Sequence, residues 1–220
     1  MTWLTPTMQD LLLDAAVETA QMVGLSALVA VVLGLPLALV LHVTGAGQLS
    51  PNRLVNLALG GLINAVRSVP FIILMVAIVP FTRVVAGTSI GTLAATVPLA
   101  IAATAFIARL FETALREVDP GLVEAAQAMG ATRLQIVTRV LLREAAPGLV
   151  AAITVTLVSL VGYSAMAGAV GGGGLGDLGI RFGYQRFMPA VMATVVVLLI
   201  VVVQLLQSLG DLLVRRLTRR

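Results

Sequence analysis

Few residues in this chain are equipped for chemistry, and the most distinctive of them lie in one short stretch. Asp119-Pro120 precedes Glu124-Ala125-Ala126-Gln127-Ala128-Met129-Gly130. A short helix with small residues on one side can lie flat in a groove of another protein, because Ala permits close backbone approach. Gly130 then lets the chain turn sharply back. The chemistry expected here is mechanical contact: Glu124, Ala125, Ala126, Met129 and Gly130 form a candidate docking handle. The plainer reading is a surface helix that links two larger segments.

Two further groups stand out. Arg67, Ser68 and Pro70 interrupt a long apolar run, and an Arg at the centre of a membrane span costs roughly 2.5–3.5 kcal/mol on insertion scales. Such a residue faces an aqueous path, or else snorkels to a headgroup. Pro70 suits a kink or a fresh helix start. Tyr163, Ser164 and Met166 precede a run of glycines. They read either as a gate, with Met166 as a flexible apolar plug, or as ordinary packing among the small residues Gly162, Ala165, Ala167 and Gly168.

Other chemistries lack their residues. The chain has no Lys, and a phosphate-binding loop needs a Lys that reaches the phosphates, so ATP is not hydrolysed here. Gly171, Gly173 and Gly176 fit a G-x-G-x-x-G pattern by letter, but an apolar helix precedes them where a strand is required. A tight turn is expected. With one His, His42, and no Cys, neither a metal site nor a disulfide is expected. No catalytic residue and no cofactor are assigned.

The elements that position these groups follow from composition. Of 220 residues, 59% are hydrophobic and 11% charged, against about 25% charged in a typical soluble domain. Five apolar stretches, at about 22–43, 54–81, 90–108, 149–170 and 188–209, extend roughly 28–42 Å as helices. That matches a hydrocarbon core of about 30 Å. Backbone groups in lipid must bond within their own segment, so helix is expected, and period-2 alternation is absent. The expectation is an all-α protein, a single transmembrane domain over residues 1–220 with five spans. The N-terminal segment carries Asp10, Asp14 and Glu18 and no basic residue, so it is not read as a signal peptide.

All 14 basic residues are Arg, and they are distributed as topology signals rather than as a nucleic-acid stripe. With the N-terminus outside, ten fall on the cytoplasmic face (Arg53, Arg109, Arg116, Arg133, Arg139, Arg143, Arg215, Arg216, Arg219, Arg220) and three outside (Arg83, Arg181, Arg186). The positive-inside rule then gives N-out, C-in. The inner loop 109–147 holds ten of the chain's 24 charged residues. Within it, Asp119 is an N-cap with Pro120 at the first helical position, and Leu122, Val123, Ala125, Ala126 and Met129 supply an apolar face. Gly130 terminates, and Thr132-x-x-Gln135 is a capping-box pattern ahead of Ile136, Val140 and Leu141. Outside, Asp177, Arg181, Tyr184 and Arg186 can receive a partner or simply face solvent.

Glu124-Ala125-Ala126, Gly130 and then Ile136, Leu141 and Leu142 resemble the EAA loop of ABC-importer permeases. That family often has Pro after the apolar pair, where Arg143 stands here and Pro147 follows. The blocks Arg67–Leu74, Pro80–Arg83, Gly87–Gly91 and Val161–Met166 with the glycine run are similar to the methionine-uptake permeases. The resemblance covers about residues 20–220. It implies a type I importer permease fold in the inner membrane and a homodimer. It also implies two ABC ATPase subunits gripping the Glu124 helix and an external methionine-binding lipoprotein. The alternatives are a permease for another amino acid or small amphipathic nutrient and, weaker, an ion-coupled secondary transporter, since that mechanism needs Asp or Glu inside the spans.

Overall fold

The computed structural model describes residues 5–218, so Arg219 and Arg220 of the basic tail lie outside the described residues. The described chain is helical throughout, with no strand among the described residues.

Helix α1 (Pro6–Thr44) starts well before the apolar run does. Thr5 caps it, accepting from the Met8 amide, and Pro6 occupies the first position. Asp10 and Asp14 do not stop it, because Met8, Leu12, Ala15, Thr19 and Met22 recur on one buried face. That face packs on Leu175, Leu178, Val191 and Val195. At 39 residues the helix is roughly 58 Å long, about twice the hydrocarbon core.

The second apolar run is not one continuous helix. Arg53–Ser68 (α2) and Phe71–Ala77 (α3) meet at a bend of 103°, and Val79–Ala86 (α4) follows. Pro70 lacks an N–H and disfavours the α conformation at Val69, which takes φ −86°, ψ 127°. Pro70 then becomes the cap of α3, its carbonyl accepting from Ile73 and Leu74 at 2.9 and 3.0 Å. The run 54–81, expected as one continuous helix, is thus divided among α2, α3 and α4.

Helix α5 (Thr92–Arg116) runs eight residues beyond the expected end at 108, so the connecting segment starts at Glu117 rather than Arg109. After it come α6 (Pro120–Ala128), α7 (Arg133–Gln135), a π-helical turn over Ile136–Leu141, α8 (Leu142–Glu144) and α9 (Ala146–Ala167). A second π-helical stretch, Gly168–Gly172, leads to α10 (Gly174–Leu178), and a third, Gly179–Gln185, leads to α11 (Pro189–Thr218).

Among the described residues, four helical stretches are long and apolar enough to cross a membrane: Pro6–Thr44, Thr92–Arg116, Ala146–Gly172 and Pro189–Thr218. The bent α2–α3 pair adds a fifth if it counts as one span. Helix α5 is the hub, with Leu99, Ala103, Ile107, Phe111 and Leu115 buried in the main core beside Met22, Ala30 and Ala38 of α1 and Leu160 of α9. Leu13, Leu28, Val32, Leu62, Val197, Ile200 and Leu205 point outward. In water this surface would be unstable, whereas in lipid the same apolar exposure carries no penalty.

Candidate functional site

The charged connecting segment is rigidly folded. Asp119 accepts from the Gly121 amide at 2.8 Å, and Pro120 opens α6. The helix ends where Gly130 takes φ +78°, a conformation that penalises any residue with a Cβ. There the Gly130 and Ala131 amides donate to Gln127 and Ala126 carbonyls at 2.9 and 3.0 Å. The capping box forms in full: the Thr132 amide donates to Gln135 Oε1 at 2.8 Å, and the Gln135 amide donates to Thr132 Oγ1 at 3.3 Å.

The expected apolar face of α6 is split between two sides. Ala126 is buried with Ile136 and Leu141, and Val123 and Ala131 pack beside it. Leu122, Ala125 and Met129, spaced i, i+3, i+7 on one strip, face outward, and Met129 is 81% exposed. Glu124 is also exposed, and Leu134 extends the outward apolar surface. A helix of nine residues has too little surface to bury both sides against its own chain, so one remains free.

Beneath α6 lies a cavity of about 220 Å³, whose lining includes Glu124 and Gln127 from α6, His42 from the end of α1, and Leu115 and Arg116 from the end of α5. Arg133 donates to Ser50 Oγ at 3.3 Å, fastening the segment to the turn after α1. One turn further into α5, Glu112 is buried and accepts from Arg109 at 2.5 Å and from Arg116 at 2.6 Å. Arg109 also donates to the Gly60 carbonyl at 3.1 Å and to Asn64 Oδ1 at 3.2 Å on α2. The helices that bear on the connecting segment are therefore fastened to one another by polar groups. Sequence reading missed Glu112 as a buried carboxylate because it assigned residues 109–147 to a loop.

The second group gathers at the break between α2 and α3. Arg67 and Ser68 end α2, with Ser68 Oγ donating back to the Asn64 carbonyl at 2.8 Å. Phe71, at the start of α3, stacks on Tyr163 of α9 with ring centroids 4.9 Å apart and an interplanar angle of 14°. Between them is a cleft of about 190 Å³, lined by Val66, Arg67, Val69, Phe71, Ala102, Phe106 and Tyr163. Arg67 and Tyr163, 96 positions apart in sequence, thus share one wall. Ser164 points elsewhere: it is 2% exposed and donates to the Val161 carbonyl at 2.8 Å within its own helix. Met166 is 48% exposed and outside the cleft lining. Phe71 and Phe106 were not singled out from sequence, since an aromatic in an apolar run carries no local signal.

The glycine run is a tightly packed turn. Glu18 accepts from the Gly174 amide at 2.6 Å, and Thr19 Oγ1 accepts from the Leu175 amide at 2.9 Å while donating to the Ala15 carbonyl at 3.0 Å. The amides that a phosphate would need are in part already taken by α1. Nearby, Asp177 pairs with Arg181 at 2.9 Å. The guanidinium groups of Arg181 and Arg186 lie 5.3 and 4.5 Å from the centre of the Phe182 ring. Tyr184 and Phe187 are left exposed.

A lipid-compatible helical body, a folded polar connector with a free face and a cleft at a broken helix agree with comparisons to known proteins. Residues 30–220 match the family described as "Binding-protein-dependent transport system inner membrane component". A Vibrio cholerae relative named "Probable D-methionine transport system permease protein MetI" is 56% identical over 96% of this chain and 94% of its own. The D-methionine transport system permease protein MetI of Escherichia coli (strain K12) is 52% identical over 73% of this chain and 74% of its own. A solved inward-facing structure of the MetNI methionine ABC transporter superposes with a TM-score of 0.95 at 50% identity, covering 97% of this chain and 99% of that one. This chain belongs to the binding-protein-dependent transport system inner membrane components, the permease subunits of ABC importers.

Proposed function

We propose that the chain forms the path for methionine across the inner membrane as a homodimer, driven by two ABC ATPase subunits on the cytoplasmic face. An extracytoplasmic methionine-binding lipoprotein delivers the solute. Methionine is favoured by the names of relatives that match nearly the whole chain. The topology is five spans, N-out and C-in, with α2 and α3 as one broken span and the segment after α5 in the cytoplasm.

One observation carries this reading. The strip Leu122, Ala125 and Met129, with Glu124 beside it, stands free on a helix held at both ends by caps. It is the shape of a lever. Glu124, Ala125, Ala126, Met129 and Gly130 form the coupling element: Glu124, Ala125, Met129 and Gly130 are seated in a cleft of the ATPase, and the buried Ala126 ties the helix to the permease core. Displacement of α6 passes to the ends of α1 and α5 across the cavity that all three line. The spans then rock as rigid bodies between outward- and inward-open states. Arg67, Ser68, Pro70 and Tyr163 border the path at the break, and Ser164 and Met166 continue it along the end of α9.

Ion coupling at Glu112 is disfavoured, because both its carboxylate oxygens are occupied by Arg109 and Arg116.

The test is purification of the tagged chain from its native membrane with identification of bound subunits, followed by reconstitution. An ATPase is expected to co-purify. The Gly130→Pro and Glu124→Arg variants are expected to insert, yet to separate hydrolysis from methionine uptake. If both variants transport at the wild-type rate, or if uptake proceeds with no nucleotide-driven partner present, the proposal is wrong.

A further inference from the structure

Resting on the reading above, we infer that the cleft at the α2–α3 break is a binding subsite for the transported amino acid within the permease itself. Arg67 holds the carboxylate, and the aromatic wall of Phe71, Tyr163 and Phe106 holds the side chain.

The charge comes first. Among the described residues no carboxylate pairs with Arg67, as with most arginines of this chain, and Arg67 is the charged group in the lining of this cleft. Arg67 lies on the cleft wall, exposed, at the end of α2. A planar guanidinium with several fixed donors suits a carboxylate in two-point contact. An amino acid bound in its zwitterionic form supplies that anion and brings the neutralising ammonium with it. Because α2 stops at Ser68, its last carbonyls lack the amide one turn on; Val66 accepts from the Val69 amide at 3.4 Å, and the Arg67 and Ser68 carbonyls beyond it are acceptors for that ammonium.

The second component is apolar. Phe71 and Tyr163 stack nearly parallel, so each holds the other's ring in place, and both line the cleft beside Arg67 with Phe106, Val66, Val69 and Ala102. A thioether is polarizable and makes favourable contacts with aromatic rings. At about 190 Å³ the cleft is smaller than the roughly 300–1,000 Å³ of drug-sized pockets, which restricts it to a small solute.

The probe is labelled methionine on the purified permease–ATPase complex in nonionic detergent, without the binding protein. Competitors are methioninol, which lacks the carboxylate, and norleucine, which replaces sulfur by a methylene. Saturable binding is expected, with methioninol failing to compete and norleucine competing several-fold less well. Arg67→Ala is expected to weaken binding about 10- to 100-fold, the range for losing a hydrogen bond to a charged group, and Arg67→Lys by a smaller factor. Tyr163→Leu is expected to abolish the preference for methionine over norleucine.

The subsite is overturned if wild-type complex shows no saturable methionine binding, if methioninol competes as well as methionine, or if Arg67→Ala binds unchanged. It is equally overturned if Arg67→Ala loses only co-purifying anionic phospholipid, since Arg67 would then serve a headgroup. Failure of the underlying function looks different: wild-type complex supplied with binding protein and ATP would import no methionine into proteoliposomes.

Discussion

Replacing Glu112 by Gln keeps the shape of the side chain and removes its charge, so it isolates what the buried ion cluster contributes. The Glu112 side chain is 3% exposed, Arg109 22% and Arg116 61%. Those exposures separate the two bonds energetically. Water can replace Glu112 at Arg116, and an exposed pair of this kind is worth roughly 0.2–1 kcal/mol. Arg109 is mostly shielded, and its charge-assisted bond is worth roughly 1.5–3 kcal/mol. Glu112→Gln is therefore expected to cost about 2–4 kcal/mol. At about 2–4 °C per kcal/mol for a chain of this size, the apparent melting temperature of the purified complex should fall by roughly 4–16 °C. Arg116→Ala is the internal control, expected to lower it by no more than about 4 °C. The assay is thermal challenge followed by size-exclusion chromatography on the tagged complex, with wild type and both variants side by side. Equal shifts in the two variants, or no shift in Glu112→Gln, would refute the claim that burial makes the Arg109 bond the dominant one. A loss of the Arg109 link to Gly60 and Asn64 should also loosen α2 against α5, read as faster hydrogen exchange confined to the residues around Gly60.

Thr132→Ala removes the acceptor for the Gln135 amide and half of the capping box; it should cost about 1 kcal/mol and raise protease sensitivity between α6 and α8, which limited proteolysis would detect. Gly210→Val should destabilise the complex by roughly 1–3 kcal/mol, because a Cβ at Gly210 would overlap Thr154 on α9; a normal melting profile would show that α9 and α11 do not pack this closely. Glu18→Ala strips the acceptor from the Gly174 amide and should increase hydrogen exchange at residues 171–176 while leaving the exchange of α6 unchanged.

Much of the connecting segment was legible because its structure is local. A cap at Asp119, a Pro at the first helical position, a left-handed Gly130 and a Thr132–Gln135 box each depend on residues two to five apart, and the structure has all four. The apolar runs likewise announced helices, since a backbone in lipid has no other inexpensive way to satisfy its hydrogen bonds. Their ends were less legible. Helix α1 extends back to Pro6 because Met8, Leu12 and Ala15 find a partner surface on α10 and α11, and α5 carries on to Arg116 because Glu112 is neutralised by neighbours. Hydropathy scores each residue alone and cannot register such compensation.

The sequence by itself determined that this is a helical membrane protein with a capped, charged connector and no nucleotide chemistry of its own. Tertiary structure alone decided that the second apolar run turns through 103°, that Arg67 meets Tyr163 and Phe106 at one cleft, and that Glu18 closes the glycine turn 156 residues away. The physical reason is the range of the interactions. Capping and helix formation are settled within a turn or two of the chain, while a cleft exists only once helices distant in sequence have packed and fixed which side chains face one another.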